Sequence, residues 1–118
     1  MRLWVKLLTI FAGGVLGTAL RLGLLRLIGD EVVALGAANA IGCVLIGLIS
    51  GLLGPHASAA RLFLAVGAIG AFTSWSSLAL QAINMPAGIL IAFIETFVGA
   101  IFAGVGHLGG MKLRRVDD

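Results

Sequence analysis

Of the 118 residues, 60% are hydrophobic and only 11% charged, with a mean hydropathy of +1.16. That balance excludes an ordinary soluble domain, and apolar segments of spanning length that recur toward the C-terminus argue against a secretory signal followed by a soluble enzyme. The net charge of +3 is carried mainly near the termini beside apolar segments, a pattern that reports membrane orientation rather than nucleic-acid binding.

At roughly 20 residues per spanning helix, the chain has room for about four spans. The first covers 3–28, although only 7–20 is free of charge, with Lys6 and Arg21 placed to snorkel at its ends. The second covers 32–53 and is stopped by Gly54, Pro55 and His56; the third covers 62–85 and is closed by Pro86; the fourth covers 87–110. Links this short make neighbouring spans antiparallel and the whole an all-α membrane domain with both termini on one side. Arg2, Lys6, Arg61, Lys112, Arg114 and Arg115 then fall on the terminal side and only Arg21 and Arg26 on the other, six against two. This bias predicts termini in the cytoplasm.

The 18 glycines suit helices that approach closely in lipid. Gly13 and Gly17 are four apart, as are Gly47 and Gly51. Asn39, Gly42, Cys43, Ile46, Gly47 and Ser50 share one face of the second span at helical spacing, and Glu95, Gly99, Phe102, Ala103 and Gly106 form a similar face on the fourth. The lone Cys43 excludes a disulfide or a multi-cysteine metal site within one subunit. Four helices packed this tightly do not enclose an aqueous passage alone, so association with a second subunit is expected.

The candidate functional residues concentrate in the third span. Thr73, Ser74, Ser76 and Ser77 place four hydroxyls within five residues, behind Gly67 and Gly70. A single hydroxyl bonds back to the preceding turn, but this density predicts a helix interrupted near mid-membrane, with freed carbonyls to hold a cation and hydroxyls to line an anion path. Asn39 either donates its amide to an anion or bridges two helices. Arg21 suits a headgroup phosphate or a pore mouth. Glu95 has no basic residue within a helical turn and needs a partner from another helix, water, or a bound proton. His56 and His107 read as loop and interface residues, and no nucleophile–base pair marks an enzyme.

These motifs resemble the CrcB/Fluc family of fluoride channels along nearly the whole chain. GGVLGTALR at 13–21 is similar to a first-helix pattern GGxxGxxxR, NAIGCVLIG at 39–47 to a second-helix NxxGxxxxG, and GAIGAFTSWSS at 67–77 to a third-helix GxxGGFTTFST. The resemblance implies an antiparallel, dual-topology dimer with two fluoride pathways along the subunit interface. It implies a structural sodium ion at the dimer centre, held by backbone carbonyls at Gly70 and Thr73. Asn39, Phe72, Ser74, Trp75, Ser76 and Ser77 are then pathway residues, and Arg21 a vestibule residue.

The chain also departs from the pattern. Trp75 and Leu78 stand where the family carries phenylalanines: tryptophan keeps an aromatic edge and adds an N–H donor, whereas leucine supplies neither. Glu95 stands where a serine is usual, and Ile91 where a polar or aromatic residue often lies. With the charge bias, these departures suggest one subunit of a heterodimer, paired with an oppositely oriented paralogue. The alternative is a small proton-coupled exporter resembling the small multidrug resistance proteins. Its only signal is Glu95, since those proteins carry their essential glutamate on the first helix and this chain has no acid before Asp30.

Overall fold

The computed structural model describes residues 2–55 and 58–117, the side chains of 116 and 117 excepted. His56, read above as a loop residue, lies outside the described residues. Helix α1 runs Leu3–Ile28 and ends at Gly29, whose φ of 84° suits a residue without Cβ and whose N–H reaches Leu25 O at 2.7 Å. Asp30 then caps α2, Glu31–Leu53, its Oδ1 accepting from the Val32 and Val33 N–H groups at 2.9 and 3.1 Å. The Gly29–Asp30 pair closes one helix and opens the next, which turns α2 back against α1.

Ser58 caps the third span, its Oγ accepting from Arg61 N–H at 3.1 Å. That span begins at Ala59, three residues before the sequence expectation, and its first helix, α3, covers 59–72. After one α-helical turn, Leu62–Ile69 is wound as π-helix, and Gly70–Phe72 returns to α geometry. Thr73 (φ −85°, ψ 162°) and Ser74 (φ −148°, ψ 104°) are extended, and α4 resumes as Trp75–Asn84. A turn through Ala87, at φ 57°, leads into α5, Gly88–Asp117. The fourth helix thus runs past its expected end at Gly110. The glycine pair there does not stop it because Gly110 packs against Leu48 and Leu52 of α2, and the following Met-Lys-Leu-Arg-Arg run is a good helix former with cations suited to a C-terminus.

The helices zip together as two parallel pairs. Gly13 abuts Phe63 and Ala68, and Gly17 abuts Ala68 and Phe72, so α1 and α3 rise together. Gly47 abuts Ala103, Gly51 abuts His107 and Met111, and Gly106 abuts Val44 and Leu48, so α2 and α5 do likewise. At each of these glycines a Cβ would strike backbone of the facing helix, the close approach that small residues permit where no hydrophobic effect drives association. Phe102, grouped by spacing with this face, is instead 38% exposed, because the seam follows Gly99, Ala103, Gly106 and Gly110.

The core is correspondingly small-sided, with Ala34, Leu35, Ala38, Ala65, Ala68, Ile69, Phe72 and Leu78 buried. Leu3, Phe11, Phe93 and Phe97 are 72%, 70%, 73% and 70% exposed, an inside-out arrangement for water. Among the described residues, four segments are long and apolar enough to cross a membrane, α1, α2, α3 with α4 taken together, and α5, and the molecule is 47 Å long, enough for a bilayer with its headgroups of about 40–45 Å. The chain is a multi-pass membrane protein.

Candidate functional site

The interruption at Thr73 and Ser74 is held by a side chain from another helix. Ser74 N–H donates to Asn39 Oδ1 at 2.8 Å, and Asn39 Nδ2 donates to Ser74 O at 3.4 Å. The carboxamide of α2 therefore pairs with the main chain of the third span much as a neighbouring strand would. Gly42, one turn further along α2, makes room for the Thr73 methyl group.

The hydrogen bonds that α-helical winding would have made are redirected. In an unbroken helix, Ser74 N–H would close on the Gly70 carbonyl, but it goes to Asn39. Ser77 N–H would close on the Thr73 carbonyl, but it goes to Ser74 Oγ at 3.2 Å, the cap of α4. The main-chain oxygens from Gly70 to Thr73 thus lose their helical donors, those of Gly70 and Thr73 because the donors are redirected to side chains. At the same point the Trp75 and Ser76 amides are first-turn donors with no acceptor inside their own helix.

The four hydroxyls divide by function. Thr73 Oγ1 bonds back to Ile69 O at 3.0 Å, as Thr9 and Thr96 do to Val5 and Ala92, both at 2.8 Å. Ser74, 9% exposed, donates from Oγ to Ser77 Oγ at 2.9 Å and lies 3.4 Å from Ser76 Oγ. Ser76 itself is exposed.

Two cavities flank the break. An open groove of about 480 Å³ is walled by Asn39 and Cys43 of α2, Gly70 and Thr73 of the third span, Trp75, and Thr96 and Gly99 of α5. Trp75 is 71% exposed beside it, whereas Leu78 is 6% exposed at its floor. On the other side, Arg21, Glu31, Ser77 and Gln81 line a second cavity of about 340 Å³. Ser74 lines neither cavity but is hydrogen-bonded to Ser77, which lines the second. The structure thus gathers Asn39, Gly70, Thr73 and Trp75 around one space and Arg21 and Ser77 around the next. Phe72 stands apart: as the last helical residue before the break it turns inward, 9% exposed, toward an apolar groove between α1 and α2.

Gln81 is the site residue that sequence reasoning missed. It lies one turn beyond Ser77, and its Oε1 is buried without a hydrogen-bond partner among the described residues. The signal was its spacing from Ser74 and Ser77, which places the three on one face of the helix. Glu95 lies against Gly36 of α2, its Oε2 buried without a partner among the described residues, and it lines neither cavity. Among the described residues no cluster of three or more His, Cys, Asp or Glu forms a side-chain metal site.

Comparison with known proteins places this architecture. The family described as CrcB-like protein, Camphor Resistance (CrcB), matches residues 8–111. The chain belongs to the CrcB family. A relative from Thermus thermophilus, named fluoride-specific ion channel FluC, is 38% identical over 89% of this chain and 95% of its own length. One from Bacillus subtilis, named fluoride-specific ion channel FluC 2, is 33% identical over 87% of this chain and 94% of its own, and one from Mannheimia succiniciproducens, also named FluC, is 30% identical over 92% and 95%. No solved structure matches the chain significantly. Within the CrcB family the break and its two cavities are the natural place to seek the transport path.

Proposed function

We propose that this chain is a subunit of a fluoride channel, and not an enzyme, which lets fluoride leave the cytoplasm. The observation that carries the reading is the interruption at Thr73–Ser74, where redirected hydrogen bonds leave acceptors and donors unpaired side by side. Fluoride is small and strongly hydrated, so a dehydrating passage must replace water with hydrogen-bond donors. The Trp75 and Ser76 amides, the Ser76 and Ser77 hydroxyls, the Trp75 indole N–H and the second Asn39 amide hydrogen supply such donors without a fixed positive charge that would trap the ion. Arg21 at the far cavity raises the local anion concentration. Fluoride enters cells as neutral HF and dissociates in the less acidic cytoplasm. A negative-inside potential, worth about 2.3 kcal/mol per elementary charge per 100 mV, then drives it outward.

Because the 480 Å³ groove is open on the surface of one subunit, a second subunit is needed to close the path. An antiparallel dimer joined across this face brings two breaks together, and the freed oxygens of Gly70 and Thr73 are hard donors suited to a sodium ion at the centre. When bound, that ion neutralises the converging carbonyl dipoles. The six-to-two charge bias supports cytoplasmic termini and an oppositely oriented paralogue as partner. Relatives named FluC 1 and FluC 2 fit such pairing.

The test is fluoride efflux from proteoliposomes, measured with this chain alone and with a co-reconstituted paralogue. Efflux selective for fluoride over chloride in either preparation supports the channel, and efflux with this chain alone removes the need for the paralogue. Silence in both overturns the reading. Because Glu95 lines neither cavity, Glu95→Gln is expected to keep conduction, where a proton-coupled exporter would lose transport.

A further inference from the structure

Ser74 is a buried polar side chain at 9% exposure, and both hydrogen-bonding capacities of its hydroxyl are committed in a definite direction. Its oxygen accepts from Ser77 N–H at 3.2 Å, and its proton goes to Ser77 Oγ at 2.9 Å. Ser76 Oγ, at 3.4 Å, is the longer and weaker contact. Asn39 fixes the Ser74 main chain from the other side, and the two bonds to Ser77 set the direction of its hydroxyl. A serine hydroxyl has one proton. Ser77 Oγ already receives the Ser74 proton, so its own O–H must point elsewhere, and Ser77 lines the cavity of Arg21 and Gln81.

The geometry points to Ser74 as a positioning residue that holds Ser77 as a hydrogen-bond donor toward an anion in the Arg21 cavity. This rests on the fluoride-channel reading and adds a polarity to it. An anion only accepts, so a Ser77 hydroxyl turned the other way would present lone pairs and repel it. The competing orientation is close at hand: the Thr73 carbonyl, one turn before Ser77, has lost its helical donor, and Thr73, Thr9 and Thr96 all bond back one turn in that manner. The contact with Ser74 Oγ instead holds the Ser77 side chain in a rotamer that makes no hydrogen bond to Thr73 O among the described residues, so its O–H is left for the Arg21 cavity, while Asn39 holds the Ser74 main chain in place.

A double-mutant cycle on fluoride efflux separates this role from simple capping. Ser77→Ala removes the donor and is expected to slow efflux about tenfold, the equivalent of one hydrogen bond to an ion. Ser74→Gly removes the hydroxyl while keeping a tolerated helix cap and is expected to slow efflux by the same factor. The double variant is expected to be no slower than either, and Ser74→Thr, which keeps the hydroxyl, to restore the rate. Losses that multiply in the double variant, or unchanged efflux in Ser77→Ala, overturn the inference; the latter variant leaves the cap untouched and does not depend on how Ser74→Gly folds. A wild type that conducts no fluoride, alone or with a paralogue, overturns the channel reading and this inference together, whereas a conducting wild type with multiplying losses overturns only the inference.

Discussion

Asn39 shows how one side chain fixes a backbone that its own helix does not contain. Its carboxamide satisfies both the N–H and the C=O of Ser74, so Asn39→Ala leaves two main-chain groups of a buried residue without partners. At about 1–3 kcal/mol for each unsatisfied group, a marked fall in the thermal unfolding midpoint is expected, together with loss of fluoride efflux. Asn39→Asp keeps the acceptor for Ser74 N–H but turns a carboxylate oxygen toward Ser74 O, so stability should fall less than in Asn39→Ala while efflux is still lost. Ala87 is a simpler case. Its φ of 57° places a Cβ where only glycine is comfortable, and Ala87→Gly should raise stability by about 1 kcal/mol, read as a higher unfolding midpoint in detergent. The sequence left Asn39 open between anion donor and helix bridge because its partner is main chain 35 residues away, which no residue type announces.

At the scale of the element, what the residues announced and what they concealed separate by mechanism. The seams at Gly13, Gly17, Gly47 and Gly51 and the hydroxyl density at 73–77 are local chemistry, and each was legible. The π winding of Leu62–Ile69 was not, because nothing in an apolar run of that composition distinguishes one helical pitch from another. Nor was the pairing of α1 with α3 and α2 with α5, since the spacing of glycines names a face but not the helix it meets. The seams make a prediction by contrast. Gly47→Ala and Gly51→Ala drive a Cβ into backbone of α5 and are expected to cut the yield of monodisperse protein severely. Gly104 and Gly109, on the same α5 helix, have open space where a Cβ would go, so Gly104→Ala should fold normally and gain up to about 1 kcal/mol of helix propensity. Equal losses at Gly47 and Gly104 would show that glycine content, not the α2–α5 seam, limits folding.

Across the whole molecule, the cations that bias insertion also hold the fold together. Arg61 donates from Nη1 to Gly54 O at 2.6 Å and from Nη2 to Ser50 Oγ at 3.3 Å, and the Arg114 guanidinium lies against Gly54. Both cations thus gather at the C-terminal end of α2, where the helix dipole favours them. Arg61 and Arg114 are therefore poor choices for testing topology, because their removal would loosen α2 as well as change the count. Lys112, Arg115 and Leu27, all exposed and the last 83% so near the opposite end, make no such hydrogen bond among the described residues and are better ones. A C-terminal reporter on the wild type is expected to read cytoplasmic in nearly every molecule. Lys112→Gln and Arg115→Gln combined with Leu27→Lys brings the count from six against two to four against three, and the reporter should then divide between the two sides. A chain that inserts both ways supplies its own antiparallel partner, so this variant should conduct fluoride without a paralogue where the wild type needs one. An evenly divided reporter on the wild type would instead make the homodimer sufficient, and the charge bias would carry no argument for a second gene product.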